Sequence, residues 1–329
     1  MVAPMIPASN WIALTGDAPP PDAAERHALI DRGSLVIEVS RPLLHPTVLL
    51  DFTAPTPWRR VFSVLYDPAN GIGILHRQGG SLVRHALSGR PQATWPGATG
   101  SADAGALITF AWNAPARRWA ISLTPLDGGP VRTEGGRAPL PLSEADAHAI
   151  CATGAGSARI HPAVSWCGLQ RGLFEMPPAG LIEAGAPIRT PAGTVAAGAL
   201  RPGDLVLTRD HGPRPLTGVR TMDIPHRGSL APVRLRAGQF QTARDRTIGP
   251  NTRILFEGAT VEYLFGIDEV LVSGTELDDG LMGRRVLTPG ASRMVALQCA
   301  NPELISTDAV VVLTGHCGTR AAPSPRPCL

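Results

Sequence analysis

One stretch of the chain determines how its second half folds: LRPGDLVLTRDHG, residues 200–212. Pro202 fixes its own φ, Gly203 tolerates positive φ, and the side chain of Asp204 can accept bonds from nearby amides, so together they predict a tight turn. The apolar run 205–207 predicts a short buried strand, and 210–212 predicts a second turn. A short strand between two close turns is typical of a β domain.

A segment just upstream follows the same pattern. In AGAPIRTPAG, residues 184–193, the strand candidate Ile188–Thr190 runs into a Pro-Ala-Gly turn. Glycine suits strained turns because it has no Cβ, and aspartate bonds backbone amides in turns. The positions predicted to have such structural roles are Gly185, Gly193, Gly203, Asp204 and Gly266.

Together with three later segments, these two resemble, in order and spacing, the blocks of a Hint (Hedgehog/intein) domain of the bacterial type. Residues Ile248–Leu255 resemble the block that usually carries a histidine, Leu264–Val272 the strand pair after it, and Ser306–Gly315 the last strand. The resemblance covers Leu181 to Gly315. It implies a horseshoe of paired strands that cleaves its own backbone by an acyl shift.

Three positions depart from the chemistry that this resemblance implies. In Hint domains a Cys or Ser side chain on the first residue attacks the preceding carbonyl; that position, four residues before Gly185, is Leu181, which has no nucleophile. The histidine that polarises or protonates the scissile amide is replaced by Thr252, which is no general acid near neutral pH. A further histidine of the last block is replaced by Asp308. We therefore predict a degenerate domain with no catalytic residues.

Cys167, Cys317 and His211 are the other candidates for these roles. Cys167 lacks a glycine at the required offset, and its neighbours predict a packed strand end. Cys317 follows His316, but no Asn precedes it to cyclise, and His211 is expected to cap backbone groups in its turn. A metal site of Cys299, His316 and Cys317 would have poor ligand spacing. We therefore expect free thiols, no metal and no cofactor.

The first half alternates apolar and polar residues with a period of two, which is typical of strands. Turn residues separate the candidates, so the pattern predicts an antiparallel β-sandwich. A short helical stretch is predicted to end at Gly33, and a helix capped by Ser143 is predicted over Ser143–Ile150. The predicted strands are Ser34–Val39, Val48–Phe52, Val61–Tyr66, Gly73–His76, Ser81–His85, Ala106–Trp112 and Trp119–Leu123.

Residues 108–123, a strand, an Asn-Ala-Pro turn and a second strand, resemble part of the laminin-G-like, concanavalin-type jelly roll. The resemblance implies glycan binding, sometimes with calcium. Trp95, in a loop rich in Pro and Gly, is the candidate binding residue for stacking on a sugar. The alternative is that Trp95 covers the edge of the sandwich.

The sequence thus predicts an all-β chain with two domains. All six tryptophans lie at or before Trp166, which supports a boundary in the Pro/Gly-rich segment after residue 175. The predicted parts are an N-terminal segment (1–33), a laminin-G-like β-sandwich (34–175), a linker (176–180), a Hint-like domain (181–315) and a Pro-rich C-terminal tail (316–329).

Composition limits the partners. A hydrophobic fraction of 43% and a charged fraction of 17% are typical of a globular protein. The 30 basic residues are all Arg and are scattered in isolated pairs such as Arg284-Arg285, so we predict no nucleic-acid partner. No window has the length of a membrane span. The N-terminus shows no Sec signal, which predicts the cytoplasm by default and leaves unconventional secretion or packaging into a particle open.

The sequence is consistent with two functions. The first is a non-catalytic binding or assembly protein, in which the sandwich recognises a glycan or a protein and the degenerate Hint domain is a rigid scaffold. The alternative is an autoprocessing protein that cleaves itself with an unorthodox nucleophile. The sequence indicates neither the ligand nor the oligomeric state.

Overall fold

The computed structural model of the protein describes residues 9–20, 22–23, 27–54, 61–78, 81–89, 105–152, 158–240, 243–308 and 310–316. Contacts divide the chain into two compact units, Met1–Glu175 and Met176–Leu329. Strands dominate both units, and the predicted all-β fold class is confirmed.

The described residues of the first unit form two antiparallel sheets and one α-helix. The six-stranded sheet has the order β1-β11-β2-β7-β8-β9 and the five-stranded sheet the order β10-β3-β4-β5-β6. The elements are β1 (Trp11–Leu14), β2 (Arg32–Val39), β3 (Thr47–Thr53), β4 (Val61–Asp67), β5 (Gly71–Gln78), β6 (Ser81–Ser88), β7 (Ala106–Asn113), β8 (Arg118–Pro125), β9 (Arg132–Arg137), α1 (Glu144–Cys151), β10 (Arg159–Ile160) and β11 (Val164–Arg171).

The two sheets enclose one hydrophobic core. Phe62 and Ile74 from the five-stranded sheet and Leu35, Phe110 and Ile121 from the six-stranded sheet belong to the same buried cluster. In β4 the buried and partly buried residues alternate strictly, because successive side chains of a strand point to opposite faces. The first unit is therefore a β-sandwich, as the alternation predicted.

Sequence reasoning found β2 to β8 and missed the strands that complete the six-stranded sheet. The helical stretch predicted to end at Gly33 is wrong, since Gly33 lies inside β2, where an added Cβ would be 2.5 Å from Cζ2 of Trp112. The glycine there makes room for an indole ring and ends no helix. The second predicted helix is confirmed as α1, with Ser143 and Asp146 forming a capping box.

The second unit contains two larger sheets and a hairpin. The orders are β17-β23-β12-β19-β18-β22, with β26 parallel to β23, then β16-β15-β24-β25-β20-β21, and the hairpin β13-β14. The elements are β12 (Leu181–Glu183), β13 (Pro187–Thr190), β14 (Gly193–Ala196), β15 (Leu205–Thr208), β16 (Gly212–Pro215), β17 (Gly218–Pro225), β18 (Val233–Leu235), α2 (Ala237–Phe240), β19 (Arg246–Ile248), β20 (Arg253–Glu257), α3 (Ala259–Phe265), β21 (Glu269–Ser273), β22 (Gly283–Arg285), β23 (Ala291–Cys299), β24 (Leu304–Ser306), β25 (Val311–Leu313) and β26 (Gly315–His316).

Two expectations about this unit need correction. Leu264–Val272 is not a strand pair, because α3 continues to Phe265 and ends at Gly266, and only β21 follows. The strand after the Pro-Gly-Asp turn is only half buried, since Leu205 is 45% exposed whereas Val206 is buried. That strand lies in a sheet with one face toward the core and one toward solvent.

The turn predictions hold at all but one position. Gly193, Gly203 and Gly266 have φ values of 119°, 95° and 68°, a region that disfavours residues with a Cβ. Asp204 accepts a bond from the backbone N–H of Arg201 at 2.8 Å, as its place in the turn predicted. Gly185 also lies in a turn, but its φ is not positive, so the strained conformation predicted there is wrong.

None of the helices in the described part of the chain has the length and hydrophobicity that crossing a membrane requires.

A buried histidine makes the stability of the first unit depend on pH. His85 is fully buried between Phe110 and Trp119, with ring centroids 5.1 and 4.7 Å away, and burial lowers its pKa from 6.5 to about 4. Below pH 6.5 the imidazole of His85 binds a proton in the unfolded chain, whereas in the folded chain it stays neutral down to about pH 4. The free energy of unfolding should therefore fall by about 3 kcal/mol between pH 6.5 and 4.

The variant His85→Phe should lose this part of the pH dependence and no other. Urea unfolding of both proteins across the same pH range measures it. An equal slope in the two proteins would show that His85 is not the titrating group.

Candidate functional site

The three positions where Hint chemistry would lie are spread over β12, the turn before β20 and the turn between β24 and β25. At the first of them, the carbonyl oxygen of Leu181 accepts two hydrogen bonds. The backbone N–H of Gly249 donates at 2.8 Å and the hydroxyl of Thr252 at 2.7 Å. The fold therefore brings the first and second positions into direct contact.

The side chain of Leu181 lies in the core of this unit. It is 1% exposed and packs in a small cluster with Ile224, Met294 and Ala296. Its backbone pairs with Ala296 of β23. At the place of a nucleophile the protein thus has a packed apolar side chain without a reactive group.

The peptide before Leu181 is equally confined. Gly180 has a φ of 79°, and a Cβ added there would lie 2.7 Å from the carbonyl oxygen of Leu313 and 3.2 Å from the backbone nitrogen of Gly315. Only glycine suits this conformation and this space. The backbone at Gly180, just before β12, is thus packed closely against the backbone from Leu313 to Gly315.

Thr252 is fully buried at the end of a short turn. Its backbone N–H donates to the carbonyl oxygen of Gly249 at 3.1 Å, which closes the turn. Gly249 itself has no room for a side chain, because a Cβ there would lie 2.7 Å from the Cβ of Leu181. The hydroxyl of Thr252 therefore holds β12 in place, and its proton is used in that bond.

Asp308, the third position, belongs to an ion-pair network. A guanidinium nitrogen of Arg246 donates to Asp308, and the other donates to Glu183 at 2.7 Å. The Arg246 side chain is 8% exposed, and Glu183 also accepts the N–H of Thr247 at 3.2 Å. Charge-assisted bonds of this kind fix β12, β19 and the turn after β24 relative to one another.

The cysteines that bear on this chemistry and lie among the described residues are buried. Cys167 is fully buried in the middle of β11, opposite Ile37, so the expectation of a strand end is wrong. Cys299 is also buried, and burial raises the pKa of its thiol, which disfavours the thiolate. The backbone of Cys299 pairs with His316, whereas Cys317 lies outside the described residues.

His211 has a different role from the one expected. Its imidazole does not cap the turn; Nδ1 lies 2.8 Å from Oε2 of Glu303, whose side chain is 7% exposed. Only the backbone N–H of His211 serves the turn, donating to the hydroxyl of Thr208 at 3.2 Å. No group of three or more His, Cys, Asp or Glu side chains suited to a metal ion occurs among the residues that the structure describes.

The sandwich offers a different kind of surface. Trp95, the predicted sugar-stacking residue, lies outside the described residues. On the outward face of the five-stranded sheet, one cross-strand row consists of Asp51, Ser63, Leu75 and Arg84. The hydroxyl of Ser63 donates to Asp51 at 2.6 Å, and Leu75 is 38% exposed.

A second row of this face is more apolar and more exposed. Arg77 pairs with Leu82, which is 63% exposed. The aromatic side chains that the structure describes on β3 to β6 all point into the core and are buried: Phe52, Phe62, Tyr66, His76 and His85. The described part of this face therefore presents leucines and arginines together with Asp51 and Ser63, and no aromatic ring that could stack on a sugar.

Sequence reasoning missed the Arg246 network and the outward face. Arg246 is one of many scattered arginines, and only the pairing of β12 with β19 brings it beside Glu183. The alternation of apolar and polar residues in β4 to β6 was the signal that could have found this face.

Comparison with known proteins identifies the second unit. Residues 182–315 match the family model of the Hint domain. This part of the chain is therefore a Hint domain, and the resemblance stated from the sequence is confirmed. A search of curated proteins finds no match to the chain.

Similar solved structures include a tailspike protein of an Escherichia coli O157:H7 bacteriophage (8% identity, TM-score 0.31). The match covers 45% of this chain and 21% of the tailspike chain. They also include the MchDnaB-1 intein (16%, TM-score 0.26; 41% of this chain, 99% of the intein). The LG1-3 region of the laminin alpha2 chain is a third (10%, TM-score 0.29; 94% of this chain, 56% of that one). TM-scores this low do not establish a shared fold, so the assignment rests on the family model.

Removing the hydroxyl of Thr252 should destabilise the second unit. Thr252→Val leaves the Leu181 carbonyl with one donor in place of two, which should lower the free energy of unfolding by about 1–2 kcal/mol. Thr252→Ser keeps the hydroxyl and should lose less. Urea unfolding measures both variants, and equal stability of the valine and wild-type proteins would contradict the role given to this bond.

Proposed function

We propose that the protein is a non-catalytic binding or assembly protein, in which the Hint domain is a rigid scaffold and the β-sandwich carries the binding surface. The observation that carries the proposal is the double hydrogen bond to the Leu181 carbonyl. It joins Leu181 and Thr252, two of the positions where self-cleavage chemistry would lie. The side chain of Leu181 packs in an apolar cluster, and the hydroxyl of Thr252 donates a hydrogen bond.

The chemistry of the acyl shift supports the same conclusion. The attack needs a Cys or Ser side chain next to the scissile carbonyl, because the reacting atoms must be held within about 3–3.5 Å. Leu181 has none, and the thiol of Cys299 is buried with a raised pKa. The hydroxyl of Thr252 donates to the carbonyl of Leu181 itself, so its proton is not available to the amide before it.

The ligand should dock on the outward face of the five-stranded sheet. Leu75 and Leu82 provide apolar area there, and Arg77 and Arg84 are their cross-strand neighbours. Arginine is enriched at protein interfaces, and the described part of this face has no outward aromatic ring that could stack on a sugar, which favours a protein ligand over a glycan.

The self-cleavage alternative is tested by intact mass. Full-length protein incubated with and without a small thiol should keep its mass of 34.5 kDa. A fragment that ends at Gly180 would contradict the proposal, and repeating the assay with Cys167→Ala and Cys299→Ala, which remove the nucleophile, would then show whether either thiol is the attacking group.

The binding surface is tested by a glycan array and a pull-down with folded full-length protein. We expect a captured protein partner that is lost in Leu82→Glu, because a buried carboxylate costs binding energy at an apolar contact. The matched control is Leu44→Glu, since Leu44 is 73% exposed outside the strands of this face. Blank results in both screens, or equal loss in the two variants, would remove the support for this surface.

A further inference from the structure

A pocket in the second unit is lined by arginines that lie far apart in the sequence. It has a volume of about 310 Å³ and lies along β18, β22 and the residues that follow them. Arg234 and Arg236 come from β18 and the residue after it, and Arg284 and Arg285 from β22. The fold thus gathers four guanidinium groups that the sequence shows only as scattered basic residues.

Two of these arginines lie directly opposite each other. Arg234 pairs with Arg284 in the antiparallel register of β18 and β22, and both side chains are exposed. Directly opposed side chains in such a pair have Cβ atoms only about 5 Å apart, and like charges there destabilise the sheet. Arg236 lies two residues after Arg234, so strand alternation places it on the same face.

The carboxylates near the pocket do not neutralise the positive charge of its arginines. Arg285 has its own carboxylate, since its Nε lies 2.9 Å from Asp278. Asp245 is the one carboxylate in the lining, and its Oδ1 already accepts the N–H of Ala237 at 3.0 Å. Within the described ranges, Arg234, Arg236 and Arg284 make no ion pair within 4.0 Å. Three guanidinium groups therefore face one carboxylate that is partly engaged.

We propose that this pocket binds a phosphate or sulfate monoester group, held by Arg234 and Arg284 with Arg236 beside them. The planar fork of a guanidinium donates two parallel hydrogen bonds to a tetrahedral oxyanion, and two opposed forks hold it from both sides. The anion offsets the repulsion between the two cross-strand arginines. The volume is at the small end for ligand pockets, which suits a monosaccharide-sized ester better than a polymer.

This site is independent of the binding surface on the sandwich. It lies within the Hint domain, its lining residues do not include Leu181, Gly249 or Thr252, and it needs no reaction. A carboxylate in place of the ester would fit less well, because it has only two oxygens for the guanidinium groups.

Thermal unfolding of the full-length protein tests the proposal, with glucose 6-phosphate and glucose 6-sulfate as probes. Glucose and sodium chloride at matched ionic strength are the controls. At a probe concentration about ten times its dissociation constant, the midpoint of the second unit should rise by about 3 °C or more. A rise with one ester only supports the proposal and identifies whether phosphate or sulfate is the natural group.

The variants Arg234→Gln and Arg284→Gln should lose this rise. Without the probe they should be as stable as wild type or unfold about 1–3 °C higher, because each removes a like-charge contact. Loss of the response to the probe without loss of stability indicates a binding role for these arginines. If their role were structural, the substitutions would lower the unfolding midpoint in the absence of the probe.

The matched control is Arg201→Gln, an exposed arginine in a turn of the same unit. It should keep the full response to the ester, and calorimetric titration of wild type and variants provides a second measurement. The proposal is overturned if neither ester raises the midpoint beyond the salt control, or if Arg234→Gln and Arg284→Gln respond as wild type does.

Discussion

The carbonyl oxygen of Leu181 accepts hydrogen bonds from the backbone of Gly249 and the hydroxyl of Thr252, and the arrangement of the second unit depends on this contact. It ties the first strand of the unit, β12, to the turn before β20, and so connects the two large sheets. Buried polar groups must be satisfied in this way, because an unpaired carbonyl in the core costs about 1–3 kcal/mol. The glycine at 249 allows the close approach, since no side chain fits there.

Around this contact, the places where catalysis would require reactive groups are occupied by structural ones. Leu181 fills the core, Thr252 bonds a carbonyl, and Asp308 pairs with Arg246. At these three positions the Hint domain is held together by packing, hydrogen bonds and an ion pair.

Much of this could be predicted from the sequence where the signal is local. The alternation of β4, the turn at Gly203 and the capping box of α1 depend on neighbouring residues, and these predictions are confirmed. The role of Gly33 cannot be predicted from its neighbours in the sequence, because glycine is needed there to make room for the ring of Trp112, which is distant in the chain. Arg234 and Arg284 were counted as scattered because only the register of β18 and β22 places them together. The contact of Thr252 with Leu181 joins residues 71 positions apart, and no pattern within either segment indicates it.

The most direct test of the account is native-state hydrogen exchange at the amide of Gly249 in the full-length protein. If the Leu181 carbonyl is held as described, this amide should exchange only through unfolding of the second unit, as slowly as the amides in the centre of β23. Fast exchange, comparable to that of exposed turn amides, would mean that the contact is open in solution. In that case Leu181 and Thr252 would not hold the unit together, and the view of this site as a structural one would fail.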